Sequence, residues 1–319
     1  MLRLEDNWVW DFWLARDGDL HHIFFLKAPR SLGDPERRHG NATIGHAVSD
    51  DLREWRCLPD AMTPGMAGSW DDMATWTGSV IRHGGEWWCF YTAVNWAEKG
   101  LVQRIGAATS TDLTTWTRRP ENPLIELDDA RYEALDLSAW HDQAWRDPWV
   151  MRVNGHWEAF ITARTTDGAA DARGVIARAT SPDLIDWSIE NPVEVTPAGQ
   201  YGHLEVPQVI ELSGRWYLVF CTDARTHSQE WRDRGLGEAR TGTYYAVGDT
   251  PTGPFTLVED GFLGPDDGTT TYSGRIVEVD GDPMFLAWRM FDAAGDFVGE
   301  IIDPLHVRVA DDGRLILES

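Results

Sequence analysis

The sequence has little cysteine, little positive charge and no long apolar run. Cys57, Cys89 and Cys221 are its three cysteines; they stand far apart in 319 residues and lack CxxC spacing. That excludes a disulfide framework and a cysteine-built zinc site, and leaves three reduced, half-buried thiols as the expectation. No apolar stretch is long enough to cross a bilayer as a helix, so a helical span is excluded. The 28 basic residues are outnumbered by 52 acidic ones, a formal charge of −24 spread along the chain. Such a field opposes phosphate backbones and anionic lipid, so neither nucleic acid nor a membrane is an expected partner. Residues 1–13 carry acids and tryptophans where a signal peptide has a basic start and an unbroken apolar stretch, which points to a cytoplasmic location. Sustained helical periodicity is missing as well.

What the chain does have is a repeat. Ser49-Asp50-Asp51-Leu52-Arg53-Glu54-Trp55 returns as Ser110-Thr111-Asp112-Leu113-Thr114-Thr115-Trp116 and as Ser181-Pro182-Asp183-Leu184-Ile185-Asp186-Trp187. A degraded fourth copy runs from Asp249 to Phe255. Upstream of each copy lies a hairpin pattern, an apolar strand, a glycine turn and an aromatic or β-branched strand, as in Val80 to Tyr91. One turn glycine per hairpin (Gly18, Gly85, Gly155, Gly214, Gly281) gives spacings of 67, 70, 59 and 67 residues. Five such units fill residues 1–319. A four-stranded unit repeated radially is a propeller blade, so the expectation is an all-β, five-bladed β-propeller with four antiparallel strands per blade, forming one domain. A stack of sandwich domains would need polar linkers, and none is visible. Most of the 18 tryptophans are then packing residues, with a few indole faces left to stack on a sugar ring.

In a propeller the innermost strands converge on a central channel. Their starts read Trp10-Asp11-Phe12-Trp13, Trp76-Thr77-Gly78-Ser79, Arg146-Asp147-Pro148-Trp149, Glu205-Val206-Pro207-Gln208 and Tyr272-Ser273-Gly274-Arg275. Three of the five bring a carboxylate to one end of the channel: Asp11, Asp147 and Glu205. Acids gathered in a narrow space repel one another and destabilise a fold that has no use for them. The competing explanation is that they cap strands or pair with Arg146 and Arg275. Paired carboxylates are what glycosidic cleavage needs: one acid to protonate the leaving oxygen, one carboxylate to attack the anomeric carbon or to activate water.

These motifs, one per blade and in order, resemble the five-bladed propeller glycoside hydrolases of the invertase and levansucrase clan (families 32 and 68, related to family 43). Trp10-Asp11-Phe12-Trp13 is similar to the nucleophile segment, Arg146-Asp147-Pro148 to the clan's tripeptide, and Glu205-Val206-Pro207 to the acid/base motif. Weaker similarity runs through Tyr272 and Trp288 to the closing strand. The resemblance implies Asp11 as nucleophile, Glu205 as general acid/base, Asp147 as the partner that holds neighbouring sugar hydroxyls, and Arg146 as a further donor to them. The chain lacks the Asn-Asp-Pro-Asn-Gly stretch of invertases, their C-terminal β-sandwich and the long insertions of levansucrases.

The reading that follows is a retaining, exo-acting β-fructofuranosidase-like enzyme acting on a small oligosaccharide or glycoside, with no cofactor and no metal. Glu205 is expected to rest protonated, its pKa raised by nearby anions and burial. Trp13, Trp76, Thr77, Trp96, His203, Arg146 and Arg275 are candidate substrate-binding residues. Two alternatives stay open: an inverting arabinofuranosidase- or xylosidase-like propeller, and a non-catalytic sugar-binding one. Oligomeric state is not encoded legibly.

Overall fold

A computed structural model describes residues 1–235 and 237–318. The fold is set at its turns. Gly84-Gly85, Asn154-Gly155, Ser213-Gly214 and Asp280-Gly281 each place two consecutive residues at positive φ, between 49° and 94°. That is the type I′ geometry whose twist matches antiparallel strands, and each pair joins the first two strands of a sheet. Blade 1 consists of β1 (Asn7–Asp17), β2 (Leu20–Pro29), β3 (Thr43–Ser49) and β4 (Arg56–Met62); blade 2 of β5 (Ala74–His83), β6 (Glu86–Val94), β7 (Arg104–Ser110) and β8 (Thr117–Arg118). Blade 3 consists of β9 (Trp145–Val153), β10 (His156–Arg164), β11 (Gly174–Ser181) and β12 (Ser188–Glu190).

The last two blades exceed the expected four strands. Blade 4 adds β13 (Val195–Thr196), parallel to the outermost member of β14 (Glu205–Leu212), β15 (Arg215–Thr222), β16 (Gly242–Gly248) and β17 (Phe255–Leu263). Blade 5 comprises β18 (Thr270–Val279), β19 (Asp282–Phe291), β21 (Leu305–Val309) and β22 (Leu315–Glu318), with β20 (Phe297–Ile301) also paired to β19. A short helix, α1 (Gln229–Asp233), interrupts blade 4. Among the described residues no helix is long and apolar enough to cross a membrane.

The repeated heptapeptide is the turn from the third to the fourth strand. Asp51, Asp112 and Asp183 each accept the backbone N–H groups two and three residues on, and the preceding Ser49, Ser110 and Ser181 hydroxyls donate to the same carboxylates. This turn holds Leu52, Leu113 and Leu184 at positive φ, a conformation that costs a β- or γ-branched residue roughly 1 kcal/mol or more. Burial of the leucine side chains, each at most 1% exposed, offsets it. Trp116 and Trp187 close the turns by donating their indole N–H to Leu113 and Leu184 carbonyls, both at 3.0 Å. The apolar clusters run between blades: Trp13 and Phe24 of blade 1 share a core with Cys89 and Tyr91 of blade 2. Of the thiols, Cys89 and Cys221 are fully buried and Cys57 is exposed, so none is half-buried as the sequence suggests.

The feature that matters for function lies on the inner strands β1, β5, β9, β14 and β18. All five carry a β-bulge at the same level: between Trp10 and Phe12, Trp76 and Gly78, Arg146 and Trp149, Glu205 and Gln208, and Tyr272 and Arg275. A bulge re-aims side chains and frees backbone groups. Pro148 and Pro207, which have no N–H for a ladder, sit inside two of them.

Candidate active site

The bulges aim one polar side chain per blade into the mouth of the channel, where a cleft of about 1,220 Å³ opens. Asp11, Asp147 and Glu205 all line it, as do Trp76, Thr77, Arg146 and His203. Each acid is held by groups from neighbouring blades. Asp11 is itself the bulge residue of β1. Its Oδ2 accepts from the Thr77 hydroxyl at 2.7 Å, and its Oδ1 from the Trp288 indole N–H at 3.0 Å and from the Ser273 hydroxyl. Three donors on one carboxylate fix its orientation.

Asp147 sits at φ 58°, a strained position for a non-glycine residue. Its Oδ2 accepts from Thr162 Oγ1 at 2.9 Å and from the Val206 backbone N–H at 3.1 Å, while its own N–H donates to Thr92 Oγ1 at 2.9 Å. Burial pushes its carboxyl up to about 7, with Asp11 and Glu205 adding to the rise and Arg146 opposing it.

Glu205 opens β14. Its Oε1 accepts from Arg146 Nη2 at 2.5 Å and its Oε2 from the Tyr272 hydroxyl. Burial alone would raise this carboxyl, but the Arg146 charge and the hydrogen bonds from Tyr272 and Arg146 outweigh burial, and it lies below the ordinary glutamate value. This corrects the expectation of a protonated resting Glu205: burial does raise the carboxyl, but the Arg146 pair and the Tyr272 hydroxyl outweigh it. Of the two buried carboxyls it is Asp147, not Glu205, that is pushed up. Arg146 is buried and also donates to Gln103 Oε1 at 3.0 Å, Asp142 Oδ2 at 3.2 Å and His203 Nδ1 at 3.2 Å. Because the guanidinium is only a donor, Nδ1 of His203 accepts and Nε2 carries the hydrogen. Burial and Arg146 both push His203 well below its usual value, so the imidazole is neutral.

Three candidates lie elsewhere. Trp13 is 1% exposed and stacks on Phe24 with ring centroids 6.1 Å apart. Strict alternation would put it beside Asp11, but the bulge at Asp11 breaks the alternation and leaves Trp10 and Asp11 on the cleft. Arg275 is buried beneath the floor, where it donates to the carbonyls of Val206 at 3.2 Å and Pro207 at 2.6 Å that the bulge in β14 frees. Trp96 is 61% exposed on the loop after β6 and is not among the residues lining the cleft. Conversely, Tyr272, Ser273 and Trp288 touch the acids directly. Tyr272-Ser273 was legible as the inner-strand start of blade 5, but its chemistry was not, because a hydroxyl at that position carries no charge signal. His39, exposed and lining the cleft, and Arg38, whose guanidinium lies 5.7 Å from the Trp10 ring centroid, come from the loop after β2; nothing in their spacing pointed there.

Five blades whose inner bulges gather three carboxylates and an arginine at the channel mouth define the class: a β-propeller with an axial acidic site. The comparison with known families takes this further. The Glycosyl hydrolases family 32 N-terminal domain matches residues 13–294, and the chain belongs to that family. It is 26% identical over 233 residues to a levanase of Bacillus sp. (strain L7), covering 66% of this chain and 22% of the levanase. It is also 26% identical over 255 residues to a sucrose-6-phosphate hydrolase of Zymomonas mobilis, covering 76% of this chain and 46% of that enzyme. The chain thus spans between about a fifth and a half of the length of these curated relatives. Among solved structures, inulosucrase from Halalkalicoccus jeotgali bound to kestose superposes with a TM-score of 0.80 at 22% identity, covering 98% of this chain and 87% of that one. Bacillus subtilis levansucrase gives 0.75 at 14% identity over 99% and 87%; both share the fold.

Proposed function

We propose that this protein is a retaining, exo-acting β-fructofuranosidase-like glycosidase that removes a terminal fructofuranosyl unit from sucrose, a short fructan or a related fructoside. The observation that carries the reading is the juxtaposition of Asp11 and Glu205 in one cleft with different partners. Asp11 is oriented by neutral donors and offers its carboxylate to an anomeric carbon, and Glu205 is the group beside the leaving oxygen.

In the first step an Asp11 oxygen bonds to C2 of the fructosyl unit as the C2–O bond breaks, and the departing oxygen takes the proton from Glu205. In the second, water attacks C2, its proton passes to Glu205, and the bond to Asp11 breaks. Asp147 accepts hydrogen bonds from ring hydroxyls and supports positive charge at C2. Hydroxyl donors of the substrate favour ionised Asp147.

Asp11→Ala and Glu205→Ala are each expected to lower kcat by orders of magnitude with circular dichroism unchanged, since each removes a group needed in the transition state. The first product formed from an aryl β-fructofuranoside, read by NMR, should retain its anomeric configuration. Inversion, or preference for an α-arabinofuranoside, would transfer the protein to the inverting furanosidases. Tight sugar binding by Asp11→Asn without turnover by the wild type would make it a binding propeller.

A further inference from the structure

A second cavity, of about 630 Å³, lies against the outer part of blade 4 and meets the cleft: Glu238, Arg240 and Phe262 line both. We propose that it binds the distal units of an oligosaccharide, so that the preferred substrate is a chain of three or more sugar units. This rests on the catalytic reading given above and adds to it the size of the substrate.

The direction follows from the order of the blades. Around a five-membered ring, blade 1 faces the boundary between blades 3 and 4. Asp11 stands on blade 1, and Glu205 and Arg146 stand at that boundary. A nucleophile attacks the anomeric carbon from the face opposite the leaving group, so the remainder of the substrate leaves toward blades 3 and 4, where the second cavity lies. β17, whose residues form its outer wall, is three strands outward from β14 in the same sheet, about 14 Å at the usual strand spacing. The second ring of a disaccharide held at Asp11 does not extend that far; a third or fourth unit does.

The lining fits a sugar. Tyr244 and Phe262, both part-exposed, supply aromatic surface over the buried Tyr201 and Trp231, and the exposed Arg234 and Glu238 supply donors and acceptors, the combination that recognises a ring with one apolar face and an edge of hydroxyls. The threshold between the two spaces is built. The Arg240 guanidinium lies 3.5 Å from the centroid of the Phe262 ring, and the Tyr244 hydroxyl donates to the Arg240 carbonyl at 2.9 Å.

The test compares kcat/KM on sucrose, 1-kestose and nystose. The wild type should gain about tenfold from two to four units, the effect of one or two well-made ring contacts. Thr256→Trp, which places an indole at the exposed outer wall, should return the nystose-to-sucrose ratio to within about twofold of unity, with the loss appearing in KM. A flat chain-length series in the wild type, or a gain that survives Thr256→Trp, would overturn the proposal. Trp231 reports occupancy without turnover: the nystose-induced fluorescence change of the wild type minus that of Trp231→Phe, in which the signals of Trp10, Trp76 and Trp288 in the cleft cancel, should be saturable. No such change would overturn the assignment even in an active enzyme. A saturable change in a protein that cleaves none of the three sugars would strike the catalytic reading and leave the cavity's role standing.

Discussion

Replacing Asp147 by asparagine should make the protein more stable as the pH rises while removing its chemistry. Asp147 is 3% exposed, and burial raises its carboxyl from the ordinary 3.8 to about 7. A folded-state pKa above the unfolded one means that the folded protein binds the proton more tightly. Its contribution to stability is complete below about pH 4, falls as the unfolded chain ionises, and is lost once the pH passes about 7. At about 1.4 kcal/mol per unit, the wild type forfeits about 4 kcal/mol between pH 4 and pH 8. Asparagine keeps the shape, and its Oδ1 can accept from Thr162 and the Val206 N–H as the carboxylate does, but it has no proton to lose. The two proteins should melt together near pH 4. By pH 8 the variant should lie higher by about 6 °C, from an unfolding entropy of roughly 2.1 cal/mol/K per residue over a chain of this length. Paired thermal melts and urea titrations from pH 4 to 9 measure the difference curve, in which ionisations common to both proteins cancel. A difference that does not vary with pH, or a variant less stable at pH 8, would refute the burial argument. Activity should fall by orders of magnitude at every pH.

Removing the Tyr272 hydroxyl takes a donor from Glu205, so Tyr272→Phe should raise that carboxyl and move the alkaline limb of the kcat/KM profile to higher pH; an unmoved limb would separate Tyr272 from the acid. Gly78→Ala should prevent folding, because a Cβ there would sit 1.9 Å from the Phe90 carbonyl oxygen, a backbone atom that cannot give way; expression as a soluble, cooperatively melting protein would contradict this. His46, buried against His22 at 2.9 Å, is pushed down to about 3, chiefly by burial. Its contribution is present above the unfolded value near 6.5 and is lost as the pH falls. His46→Gln should therefore spare about 2 kcal/mol of the loss between pH 7 and pH 5, measured by urea unfolding at the two pH values.

The propeller was legible because its signals are local. Asn154-Gly155 and Asp280-Gly281 announce their turns through residues that accept positive φ, and Ser110, Asp112, Leu113 and Trp116 close a turn within seven positions. The acids were legible too, since carboxylates at equivalent points of a repeat stand out against packing residues. What stayed hidden depends on contacts across blades or on broken alternation. A one-residue bulge at Asp11 sends Trp13 into the core, a freed carbonyl draws Arg275 under the floor, and the pairing of Arg146 with Glu205 spans 59 residues. The reversal of the two carboxyls' proton affinities follows from that last contact, which no spacing in the sequence expresses.

Asp11 takes two of its three orienting hydrogen bonds from Ser273 and Trp288, 262 and 277 residues further along the chain. The proposed nucleophile, on the first blade, is thus set by the fifth. On the proposed function, a partly assembled ring would contain every acid and still be inert, so turnover would report that the circle has closed. Any agent that springs the seam between the first and last blades would silence it well before the remaining sheets come apart.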